Sequence, residues 1–73
     1  MEHVCVDARF YFWNGKNGFT VMFSYGIMTW FVFKEHETTG AVYQKKVDPK
    51  NTKSPNRAFA EYVLNDYLET LNK

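Results

Sequence analysis

Apolar and polar side chains alternate along residues 3–13. Val4, Val6, Ala8, Phe10 and Phe12 fall on one parity, and His3, Cys5, Asp7, Arg9, Tyr11 and Trp13 fall on the other. A period of two predicts a strand with one buried face. Asn14-Gly15-Lys16-Asn17-Gly18 supplies residues that tolerate positive φ between two β-favouring runs, so it predicts a hairpin loop of four residues (14–17) or of two (16–17). A second strand follows over about 19–24. Ser24-Tyr25-Gly26 then predicts a three-residue loop with Gly26 left-handed, leading into a third strand over about 27–36. The alternative is one long strand, 19–34, bent at Gly26, because Phe19, Val21, Phe23, Tyr25, Ile27, Phe31 and Phe33 keep one phase.

Glu35-His36-Glu37-Thr38-Thr39-Gly40 reads as a charged turn, and Ala41 to Val47 as a shorter strand. Lys45 and Lys46 suit a sheet edge, where charge discourages unwanted pairing. Residues 48–54, DPKNTKS, lack apolar anchors and read as a basic loop. Ser54-Pro55 predicts a helix start, with the serine as cap and the proline at the first helical position. On a wheel of 100° per residue, Phe59, Ala60, Val63, Leu64, Tyr67 and Leu71 share one face of a helix over about 55–71, opposite Arg57, Glu61, Asn65 and Glu69. The expected fold is therefore α+β, one domain over residues 1–73. An antiparallel three- to four-stranded sheet over about 3–47 carries one C-terminal helix packed on one face.

One helix covers one face of a sheet. With a three-residue second loop, Phe10, Phe12, Phe19, Val21, Phe23, Ile27, Phe31 and Phe33 lie under it. The other face then carries Tyr11, Trp13, Met22, Met28, Trp30 and Val32 among Cys5, Asp7, Arg9, Thr20 and Ser24. Exposed apolar patches of this kind mark interaction sites. Tyr11, Trp13, Met22, Met28 and Trp30 are the candidate protein-binding residues, since aromatic side chains and methionine are enriched at interface centres.

Composition narrows the role further. The chain has 73 residues, nine Lys+Arg against eight Asp+Glu, a net charge of +1 and one cysteine. At this length about 60% of the unfolded surface is buried, which leaves no room for a large internal cofactor cavity. The charge is too small to make the whole molecule a ligand for nucleic acid or an anionic membrane. It is polarised, however: Lys45, Lys46, Lys50, Lys53 and Arg57 lie within thirteen residues that hold one acid, Asp48. A basic stretch leading into a helix N-terminus suits phosphate, so these five are the candidate residues of an alternative, nucleic-acid-binding role.

Chemistry is sparse. Cys5 alone forms no intramolecular disulfide, and a reducing compartment such as the cytoplasm is the expected location. The acidic, alternating N-terminus is unlike a signal peptide. The apolar stretch 19–33 is broken by Thr20, Ser24, Gly26 and Thr29, so no membrane span is expected. Glu35-His36-Glu37, the two histidines and Cys5 with His3 provide no recognisable catalytic or metal-ligand spacing, and no cofactor, metal site or enzymatic activity is expected. The expectation is a small non-enzymatic module that docks an aromatic face on a protein partner or on a second copy of itself. Its mode would be that of an inhibitor or modulator, in the manner of viral and phage proteins directed at host or defence enzymes.

Overall fold

Gly15, at φ 65, turns the chain with Lys16 so that Asn14 pairs with Asn17. This tight hairpin joins β1 (Asp7–Asn14) to β2 (Asn17–Ser24). Its register is that of the four-residue reading of the loop, closed down to two central residues. Directly opposed residues share a face, so Phe10 opposite Val21 and Phe12 opposite Phe19 place four apolar side chains on one side. The structure is a computed structural model that describes residues 7–37, 39–47 and 55–72. The predicted strand residues 3–6, the basic loop 48–54 and Ser54 lie outside the described residues.

The second connection departs from expectation. Ser24 pairs with Thr29, so Tyr25, Gly26, Ile27 and Met28 form a four-residue loop rather than a three-residue one, and a single strand bent at Gly26 does not form. The left-handed residue is Met28, at φ 50, and not Gly26. Its carbonyl is held by the Val47 amide at 2.9 Å, and the Thr29 hydroxyl donates to Ile27 O at 2.8 Å. One additional loop residue turns every following side chain over. In β3 (Thr29–Lys34), Trp30 and Val32 therefore face the helix, whereas Phe31 and Phe33 face away, the reverse of the predicted assignment. Met28 packs against the core as well, and Ile27 is exposed.

A left-handed non-glycine residue costs about 1–2 kcal/mol. The interior side of that exchange is Trp30, 1% exposed, the largest fully buried side chain among the described residues. Its ring lies 5.1 Å from Phe23, 5.6 Å from Phe59 and 6.2 Å from Phe10. Burial of a large aromatic with such ring contacts outweighs one strained residue.

β4 (Tyr43–Lys46) completes an antiparallel sheet in the order β1-β2-β3-β4, with β1 and β4 at its edges. Alternation along β4 points Tyr43 and Lys45 toward the helix. There the Tyr43 hydroxyl donates to Asp66 Oδ2 at 2.6 Å, and the Lys45 ammonium meets the same oxygen at 3.2 Å. The helix, α1 (Arg57–Leu71), starts two residues later than predicted. Asn56 is its cap, accepting from the Phe59 amide at 2.8 Å, and Pro55 precedes the cap instead of occupying the first turn. Ala60, Val63, Leu64 and Tyr67 are buried against β1, β2 and β3. Leu71, expected on the buried face, is 59% exposed beyond the edge of the contact. No helix is long and apolar enough to cross a membrane among the described residues.

Candidate protein-docking face

The side of the sheet away from α1 is assembled in cross-strand rows. Arg9, Met22, Phe31 and Gln44 lie in one row; Tyr11, Thr20 and Phe33 in the next; Trp13 and Gly18 in the third. Asp7, Ser24, Thr29 and Lys46 form the row at the opposite end. Exposure is uneven across these rows. Trp13 is 70% and Tyr11 54% exposed, Met22 and Phe31 are half-buried, and Phe33 and Thr20 are buried. Phe31 and Phe33 stack at 6.3 Å along their strand. Arg9 and Asp7 approach to 3.4 Å, so charge at that end is locally paired.

The turn after β3 folds back over this face. Glu35 and His36 both have left-handed backbone, φ 57 and 58, with Glu37 N donating to Lys34 O at 3.0 Å. The Glu35 amide is held by Gly18 O at 2.6 Å. That geometry lays the His36 ring on Gly18, edge-on to Trp13 at 4.8 Å and to Tyr11 at 5.6 Å, with Nδ1 3.5 Å from the Thr20 hydroxyl. A Cβ on residue 18 would collide with His36 Nε2 and come within 2.7 Å of Cδ2. Glycine inside a strand often marks such a close approach, and that was the one sequence signal for this contact. His36 is thus a face residue that the charged-turn reading missed.

Of the five residues predicted for docking, the structure brings Tyr11, Trp13 and Met22 together on the open face. Trp30 and Met28 are corrected: both belong to the helix side, because of the four-residue loop. Phe31 and Phe33 take their places on the open face.

The basic segment divides. Lys45 is tied to Asp66 and lies 5.7 Å from the centre of the Tyr62 ring. Arg57 donates to Tyr11 O at 3.1 Å and stacks on Phe12 at 4.3 Å, so it covers the outer edge of β1. Lys46 is exposed in the end row of the open face, and Lys50 and Lys53 lie outside the described residues.

The remaining features are few. A cleft of about 250 Å³ lies between the first hairpin turn and the end of α1, lined by Asn14, Asn17, Lys34, Glu35, Tyr67 and Leu71, among others. The Tyr43 hydroxyl is pushed up to about 12, first by its hydrogen bond to Asp66, then by burial. No group of three or more His, Cys, Asp or Glu side chains able to hold a metal ion occurs among the described residues. His3 and Cys5 lie outside them. No protein-family model, curated protein or solved structure matches this chain.

Proposed function

We propose that this chain is a non-enzymatic docking module. Its open sheet face, centred on Tyr11 and Trp13 and continued by Met22 and Phe31, binds a protein partner and acts sterically by occupying the partner's surface. The observation that carries this reading is the exposure of Trp13 and Tyr11 on neighbouring rows of one strand, while the helix is committed to the other face. Large aromatic side chains supply most of the binding energy at protein interfaces, because they bury much area for little lost rotamer freedom. Occlusion of a substrate or subunit surface is the mechanism such a face supports without catalytic groups, and inhibition of a larger host or defence enzyme is the role we assign to it.

Trp13→Ala tests the reading cleanly, since an exposed ring contributes little to folding. The expected result is an unchanged circular-dichroism spectrum, loss of hydrophobic-dye binding, and loss of the proteins that the wild-type chain retains on a column. Light scattering behind a sizing column identifies the case in which the partner is a second copy. Retention that survives Trp13→Ala and Tyr11→Ala but collapses with added salt would overturn the reading in favour of the basic segment.

A further inference from the structure

The His36 contact has the features of a bound ligand. Its floor is Gly18, where the backbone leaves room for a ring and a single methyl group would remove it. Its walls are Trp13 and Tyr11, both edge-on to the imidazole. At its inner end is the Thr20 hydroxyl, on a residue that is 0% exposed and within reach of a ring nitrogen. Glu35 and Glu37 stand exposed on either side of His36 in the turn. The ring is delivered by two consecutive left-handed residues, neither of them glycine or asparagine, a backbone that costs about 1–2 kcal/mol per residue and persists only where the surroundings enforce it.

We propose that Tyr11, Trp13, Gly18 and Thr20 form a ring-binding slot on the docking face, occupied in the free protein by His36. When the turn Lys34–Glu37 swings aside, the slot takes a planar, nitrogen-bearing side chain of the partner, a histidine or an arginine. The chemistry is read from the occupant. A flat π group fits on Gly18 in T-shaped contact with the Trp13 and Tyr11 rings, and a nitrogen reaches the Thr20 hydroxyl. Release of the left-handed pair offsets part of the loss of the internal contact, so His36 acts as a plug that a stronger ligand displaces. This inference rests on the docking reading in naming what the partner supplies. The slot itself is testable without a partner.

His36→Gly removes the ring and suits the positive φ at that position. The probe is free imidazole, followed by the indole N–H resonance of Trp13, which is separable from that of buried Trp30. The expected result is a saturable shift of the Trp13 signal in His36→Gly, with half-saturation in the millimolar range as befits five heavy atoms. No such shift is expected in the wild type, whose slot is full, or in the double variant His36→Gly with Gly18→Ala, whose added methyl occupies the ring site. Methylguanidinium in place of imidazole separates the two side chains: tighter binding by the guanidinium assigns the slot to arginine, and tighter binding by imidazole assigns it to histidine. A folded His36→Gly protein that shifts with neither probe, or shifts equally with Gly18→Ala added, overturns the slot. Docking through Trp13 and Tyr11 would stand in that event, since its own test is loss of partner retention on Trp13→Ala.

Discussion

The two faces of this sheet are built from similar side chains and end in different states. On one, Phe12, Phe19, Val21, Phe23, Trp30 and Val32 are closed by Ala60, Val63, Leu64 and Tyr67 of the helix. On the other, Tyr11 and Trp13 have the His36 imidazole beside them, and Met22 and Phe31 have no helix over them. Apolar character alone therefore does not decide what is interior. Cover matters as well: among the described residues one helix closes one side, while on the other Phe33, Thr20 and Thr29 are buried and Tyr11 and Trp13 stay exposed. Each face has a tryptophan, one almost wholly buried and one mostly exposed, so the pair offers a direct measure of what that closure contributes.

The widest separation is expected between those two residues. Trp30→Ala leaves a cavity between β3 and α1 and should destabilise the fold by about 3–5 kcal/mol. In urea this reads as a large fall in the unfolding midpoint, or as failure to fold. Trp13→Ala should change stability by no more than about 0.5 kcal/mol. Comparable losses from both substitutions would end the distinction between a closed and an open face.

The polar tie beneath the helix comes next. Tyr43→Phe removes the 2.6 Å bond to Asp66 while Lys45 remains beside that carboxylate, so the expected loss is about 1–2 kcal/mol. The same tie predicts a pH dependence. The folded state holds the Tyr43 proton more tightly than the unfolded chain does, with the folded value about 12 against an ordinary 10.0. Its stabilisation is complete below pH 10 and is lost as pH rises from there through about 12. Unfolding midpoints measured across that alkaline window should fall more steeply for the wild type than for Tyr43→Phe.

A smaller effect comes from the end of the cover. Asn56→Ala removes the cap on the Phe59 amide and should cost about 1 kcal/mol, with the open face unaffected. Its sharpest readout is faster hydrogen exchange in the first turn of the helix, with the Trp13 environment unchanged.

The same comparison shows which parts of the molecule were legible in the sequence. The α+β class and the helix face from Phe59 to Tyr67 followed from periodicity, because in each the pattern had one consistent solution, whereas the strand count stayed at three to four. The first hairpin was also legible, since Gly15 between asparagines marks the turn and both loop lengths considered are even and leave the faces unchanged. The second loop was not. Gly26 is the residue with turn chemistry there, yet the left-handed position belongs to Met28, an apolar residue with no turn preference. With Trp30 and Val32 on one parity and Phe31 and Phe33 on the other, the hydrophobic pattern was satisfied by either assignment. Tertiary packing around Trp30 decided between them.

The candidate site inherited that ambiguity. Tyr11, Trp13 and Met22 were placed by the first hairpin and stayed on the open face, whereas Trp30 and Met28 depended on the second and moved to the core side. His36 was hidden for a different reason. Nothing in Glu35-His36 announces two successive left-handed residues, so a fold-back over the sheet had no local signature. The helix start shifted because Asn56 caps as readily as a serine.

The chain order of the sheet and its cover has a consequence for biosynthesis. Every strand pair joins neighbours in sequence, so the whole sheet, Asp7 to Lys46, leaves the ribosome before the first residue of the helix that seals it. For that interval both faces are bare, and the edge of β1 lacks the Arg57 side chain that later guards it. Exposed apolar surface and open strand edges are what make nascent chains aggregate. The fifteen-residue helix, made after the sheet, is therefore the element that closes the Trp30 face last. A message that stops short of it leaves Phe12, Phe19, Val21, Phe23, Trp30 and Val32 without their cover.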